Sequence, residues 1–157
     1  MLCCYITKRR SSYAISRSPR DVVIGGFSSG AKTGALIALQ HPDLFGNVLS
    51  QSGAYQQSNP LVRAEPNALA AMYLAQSRVP VRFYLEYGVY ERMSNSDRPI
   101  DELVSDEAMT VANRHFRDVL TAKGYDVTYR ETGSGHENIH WRATLAEGLM
   151  ALLPPMR

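Results

Sequence analysis

The sequence predicts an α/β fold: a mostly parallel sheet of about four strands with helices on both faces. Three observations predict it. Short β-branched runs end abruptly in glycine or serine, helical segments with apolar or small-residue faces lie between them, and the two kinds alternate along the chain as β-α-β-α-β-α-β-α. With right-handed crossovers that order gives a parallel sheet, so catalytic groups are expected just beyond the C-terminal ends of the strands. A chain of 157 residues, 45% hydrophobic and 20% charged, suits one domain with one core.

Asp21 to Gly26 is the first strand, because Val22-Val23-Ile24 is continuously apolar, as in a strand buried on both faces. Gly30 to Gln40 follows as a helix, with Ala31, Ala35, Leu36, Ile37 and Leu39 suited to close packing on a sheet, and His41-Pro42 ends it. Phe45 to Ser50 is the second strand, closed by Ser52-Gly53. Ala68 to Gln76 is helical after Pro66, and from Val79 the third strand places Val81, Phe83, Leu85 and Tyr87 on one face before Gly88 stops it. Residues 89–104 are polar and read as a loop leading to Ser105 as a helix N-cap, with Asp106 and Glu107 in the first turn. Met109, Ala112, Phe116, Val119 and Leu120 form that helix's apolar stripe, and Lys123-Gly124 ends it. Asp126 to Glu131 is the fourth strand, Gly133-Ser134-Gly135 a loop, and Trp141 to Leu152 a final helix before Pro154-Pro155.

The formal net charge of +2, with only Lys8, Arg9 and Arg10 clustered, offers no footprint for nucleic acid. The two cysteines, Cys3 and Cys4, are adjacent and supply neither a disulfide framework nor metal-ligand spacing, so no metal site is expected. No apolar run reaches transmembrane length, which argues against membrane insertion. The N-terminus lacks a signal-peptide core, which leaves localisation open and slightly favours the cytoplasm.

Gly26-Phe27-Ser28-Ser29-Gly30 fits G-x-S-x-G between a strand and a helix, the context a nucleophile elbow needs. In that turn Ser28 is the candidate nucleophile, Gly26 and Gly30 are expected to be glycine because a side chain would collide with nearby backbone, and the Ser29 N–H is a candidate oxyanion donor. A serine needs a base, and His136 lies in a glycine-bounded loop after a strand. The other histidines fit elsewhere: His41 at a helix end, His115 on a solvated helix face and His140 at a helix start. The third group should come between serine and histidine in the chain. Glu91, just past the strongest strand, is favoured; Asp97 and Asp101 on the same loop are alternatives, while Asp106 and Glu107 fit a helix first turn better.

Ile24-Gly25-Gly26-Phe27-Ser28-Ser29-Gly30, Tyr84-Leu85-Glu86-Tyr87-Gly88 with Glu91, and Gly133-Ser134-Gly135-His136-Glu137 followed by Trp141-Arg142 resemble the α/β-hydrolase esterase family that includes enterochelin (ferric enterobactin) esterases. The resemblance covers nearly all of the chain from Asp21 onward. It implies a serine esterase without a cofactor, acting on a siderophore trilactone or related aryl or acyl esters, with Ser28 and His136 at the nucleophile and base motifs and Glu91 at an acidic position after the penultimate strand. Where relatives often carry Gly-Gly-His-Asp-Trp, this chain has Ser134-Gly135-His136-Glu137-Asn138, which bears on the substrate more than on the chemistry. A complete α/β-hydrolase has roughly eight strands with the elbow after the fifth, whereas here the elbow starts at residue 26. Residues 21–157 therefore read as the C-terminal half of such a domain and residues 1–20 as a remnant N-terminal segment. Competing readings are a feruloyl or acetyl esterase acting on carbohydrate-linked esters, and a catalytically silent fragment that forms a homodimer through an exposed sheet edge. Trp141, at a helix start, is expected to pack rather than to line a substrate pocket, whereas Arg142 fits a pocket for an anionic substrate and a solvated position equally.

Overall fold

The computed structural model describes residues 16–56, 67–91 and 100–153, the last group without side chains before Met109. After a short 3-10 turn at Pro19–Asp21 come β1 (Val23–Phe27), α1 (Ser29–Gln40), β2 (Asn47–Gln51), α2 (Ala68–Ala75), β3 (Arg82–Gly88), α3 (Ile100–Ala122), β4 (Asp126–Thr132) and α4 (Asn138–Leu152). The four strands form one parallel sheet in the order β1-β2-β3-β4. Phe27 lies beside Gln51 and Gln51 beside Glu86, so β1 and β2 end level while β3 and β4 run two residues further, to the paired Gly88 and Thr132, along the same rim.

Alternation along the strands separates two faces. On one, Val48, Phe83 and Leu85 meet Ala35 and Leu39 of α1, Tyr73 of α2, and Ala112, Phe116 and Leu120 of α3. Tyr73 meets Phe83 and Phe116 edge to face at centroid distances of 5.6 and 5.4 Å, an arrangement the ring quadrupoles favour. On the other face α4 covers Leu49 and Tyr84 with Leu149 and Leu152. Gln51 and Glu86 share that second side by alternation and are buried there. Among the described residues β1 and β4 are the edge strands of the sheet, whereas every residue of β2 is buried.

The structure moves several expected boundaries. β1 starts at Val23 because Asp21 belongs to the 3-10 turn. β3 starts at Arg82, yet Val81, Phe83, Leu85 and Tyr87 are all buried as the alternation requires. α3 begins at Ile100, so Ser105 is not its N-cap and Asp106 and Glu107 are not in its first turn. The sequence contains a proline just ahead of the observed start, and a helix start is where a missing N–H does no harm. α4 starts three residues before Trp141, at Asn138. The stripe expected on α3 is buried at Met109, Ala112, Phe116 and Leu120, and Gly124 turns the chain out of the helix with φ +74°.

Candidate active site

β1 runs into α1 through one residue. Ser28 holds φ 54° and ψ −125°, a conformation unfavourable to any residue with a Cβ and kept only where the surroundings enforce it. Its N–H donates to Gln51 O at 3.0 Å and its carbonyl accepts from the N–H groups of Ala54 and Ala31 at 3.1 and 3.2 Å, which pins it to the end of β2 and the start of α1. A Cβ on Gly26 would lie 2.7 Å from the Gly30 carbonyl carbon, so the turn closes only with glycine there. Gly30 does not share that constraint: a Cβ there would meet nothing within 4 Å, because this part of the first turn of α1 is open. Ser29 is the first residue of α1. Lys32, in the same turn, has its amine pushed below the usual lysine range by desolvation.

Two residues expected to cooperate meet directly. His136 Nδ1 lies 2.9 Å from Glu91 Oε2, with the Glu91 side chain wholly buried. A carboxylate only accepts, so Nδ1 carries the hydrogen, and in the neutral ring this leaves the lone pair on Nε2, directed away from the pair. The other oxygen of Glu91 accepts from the Gly88 N–H at 2.7 Å and from the Ser52 hydroxyl. Gly88 permits this: a Cβ on it would strike the Ser134 carbonyl oxygen and come within 2.9 Å of Glu91 Cγ. Backbone bonds from Val89 N to Thr132 O at 2.8 Å and from Tyr90 N to Ser134 O at 3.0 Å tie the loop carrying Glu91 to the loop carrying His136. Of the alternative acids, Asp97 lies outside the described residues and the Asp101 side chain is among those not described.

Trp141 joins the two halves of this site. Its ring stacks on Phe27, next to Ser28, at 4.3 Å between centroids and meets His136 edge-on at 4.8 Å. Its indole N–H donates to Ser52 Oγ at 2.8 Å, so Trp141, Ser52 and Glu91 form a chain of donors ending on the carboxylate behind His136. Trp141 is buried and packs as expected, but packing is only part of its role; Arg142 is exposed and, with Trp141, lines a cleft along β1. Sequence reasoning did not find Ser52. Its one local signal is a φ of 53°, which is visible only in the structure.

A second carboxylate–imidazole contact lies beside the first: His140 Nε2 is 3.1 Å from Glu86 Oε1, and Glu86 is buried. Along β1 and α4 runs a cleft of about 500 Å³, lined by Gly25, Phe27, Leu49, Trp141, Leu145 and Leu149 among others. Among the described residues no group of three or more His, Cys, Asp or Glu is placed to hold a metal ion.

The family model described as "Putative esterase" matches residues 5–152. The iron(III) enterobactin esterase of Escherichia coli is 28% identical over 135 residues, which is 85% of this chain and 30% of that protein. The chain thus spans about a third of the length of that curated relative. The crystal structure of the enterobactin esterase from Shigella flexneri in the presence of enterobactin superposes with a TM-score of 0.74 at 24% identity, covering 94% of this chain and 34% of that one. A ferulic acid esterase superposes with a TM-score of 0.70 at 13% identity over 92% of this chain and 56% of its own.

Proposed function

We propose that this chain, a member of the "Putative esterase" family with an α/β-hydrolase fold, carries the catalytic residues of a serine esterase: Ser28 as nucleophile, His136 as base and Glu91 as the acid that orients it. The observation that carries the proposal is the buried Glu91 carboxylate held against His136 Nδ1 at 2.9 Å. That contact fixes the tautomer whose Nε2 can accept a proton.

In this reading Ser28 Oγ attacks the ester carbonyl carbon while its proton passes to His136 Nε2, and Glu91 stabilises the imidazolium through Nδ1–H. The carbonyl oxygen becomes an oxyanion, and the Ser29 N–H at the start of α1 is one donor to it. Collapse breaks the C–O bond, His136 returns the proton to the departing alcohol, and water releases the acyl group by the same steps in reverse. No cofactor takes part in this sequence.

The substrate we propose is a siderophore ester of the enterobactin type, supported by the E. coli relative at 28% identity. Hydrolysis of a short-chain aryl ester by the purified chain tests the chemistry. Turnover should fall on the order of 10³-fold or more in Ser28→Ala. Equal turnover in the variant, or none in folded wild type, contradicts it. Faster cleavage of feruloyl or acetylated sugar esters than of a catecholate trilactone would transfer the substrate to the carbohydrate-linked class. A second reading, self-association of a silent chain, draws on one observation: β1 is a sheet edge, its Phe27 is 50% exposed, and the apolar cleft runs beside it. Light scattering showing a dimer, together with no hydrolysis, is the result that would favour it.

A further inference from the structure

We propose that His140 and Glu86 form a positioning pair for the base His136, an inference that rests on the serine-esterase reading for its catalytic consequence but not for its geometry. Glu86 sits on the α4 face of β3, buried to 1% exposure, where an anion must be matched by donors. Its Oε1 accepts from Thr144 Oγ1 at 2.7 Å and faces His140 Nε2 at 3.1 Å, and its Oε2 accepts from Tyr84 O–H at 3.3 Å. Of the described residues bonded to it, only His140 can supply a positive charge. Glu86 thereby holds two successive turns of α4, through His140 and Thr144.

The residues that this grip fixes are those around the base. Gln51 donates from β2 to the Trp141 carbonyl at 2.8 Å and to Thr144 Oγ1 at 2.9 Å, so His140, Trp141 and Thr144 on the first turns of α4 are all held to β2 or β3. His140 Nε2 also lies 3.1 Å from Thr132 Oγ1, which is 2.8 Å from Ser134 Oγ, at the start of the loop carrying His136. That loop, residues 133–137, is therefore held at both ends. Ser134 secures its start, and its far end runs into the helix on which His140 and Trp141 are fixed. Trp141 in turn sets the His136 ring edge-on and donates to the Ser52 that backs Glu91. The catalytic mechanism uses neither His140 nor Glu86. The burial of Glu86 and its contact with His140 have this consequence instead: release of α4 from Glu86 lets the His136 loop swing.

The test observes the His136–Glu91 hydrogen bond itself. By proton NMR of the whole chain, the wild type should show a strongly downfield, exchange-protected Nδ1–H resonance that disappears in His136→Ala. In His140→Ala that His136 resonance should broaden or vanish, and labelling of Ser28 by an aryl phosphonate should slow at least tenfold. His140→Gln, whose amide can still donate to Glu86, should recover much of both. Should His140→Ala fail to fold, Glu86→Gln takes its place with the same expectation. A His136 resonance and labelling rate unchanged in either folded variant overturns the proposal. If wild type is not labelled at all but the resonance still depends on His140, the esterase reading fails and the positioning pair stands.

Discussion

The two faces of the sheet are built from different materials. The face covered by α1, α2 and α3 is apolar and aromatic, with Tyr55, Tyr73, Phe83 and Phe116 buried and each outlying hydroxyl given one fixed partner, such as Tyr73 O–H donating to Ala35 O at 2.8 Å. The face under α4 combines a small apolar cluster with Gln51, Glu86, His140 and Thr144 in one hydrogen-bonded network. The hydrophobic effect is non-directional; the bonding of a buried carboxylate is directional, since a donor must point at each oxygen. The first face fixes the fold, and the second fixes the angle at which His136 is presented.

This division predicts that substitutions on the two faces fail in different ways. Phe116→Ala, on the three-helix face, should lower the unfolding free energy by about 3–5 kcal/mol in urea titration, while Ser28 in the molecules that remain folded keeps its reactivity. Gly88→Ala lies at the rim of the other face. Its new Cβ meets the Ser134 carbonyl and Glu91 Cγ, so the loops of base and acid must part, and aryl-ester turnover should fall more steeply than the thermal midpoint. Trp141→Phe retains a ring for Phe27 but loses the donor to Ser52. It should cost about 1–3 kcal/mol in stability, with a drop in phosphonate labelling larger than any change in the midpoint of a comparable Leu152→Ala.

Smaller effects sharpen the same contrast through pH. Burial raises the phenol pKa of both Tyr55 and Tyr73 above the ordinary value of 10.0. A raised folded value means the neutral form stabilises the fold fully below the unfolded pKa, and this contribution is lost as pH rises above it. Stability should therefore decline from about pH 10 upward, and Tyr73→Phe should flatten the decline. On the exposed rim, the Arg114 guanidinium donates to Glu131 at 2.7 and 2.8 Å and holds its carboxyl below the usual range. That stabilisation is present above the unfolded carboxyl pKa and lost as pH falls through the lower, folded one. Water screens the pair, so Arg114→Ala should shift acid unfolding by no more than about 1 kcal/mol.

The three-helix face was legible in the sequence because its signals are local. The stripe from Met109 to Leu120 lies within α3 and the alternation from Val81 to Tyr87 lies in β3 and the residue before it, and Met109, Ala112, Phe116, Leu120, Val81, Phe83, Leu85 and Tyr87 are buried. Short-range signatures of elbow, glycine-bounded loop and strand end single out Ser28, His136 and Glu91 in the sequence, and the structure brings the last two into contact. Ser52, Glu86 and the second histidine were not legible in this way. Their roles arise from contacts between residues far apart in the chain, such as Ser52 with Trp141, 89 positions on, and nothing near Ser52 or Glu86 in sequence encodes them. The motif alone does not distinguish its two glycines: a Cβ is excluded by the backbone at Gly26 but not at Gly30. The start of α3 was placed late because polar residues masked a helix that a proline can precede.

The most direct measurement is the rate at which an aryl phosphonate labels Ser28 in Glu91→Gln relative to wild type, with circular dichroism as a check on folding. The account predicts a fall on the order of 10³–10⁴ in a protein that keeps its helices, because His136 loses the carboxylate that fixes its tautomer. Labelling of the folded variant at the wild-type rate would contradict it.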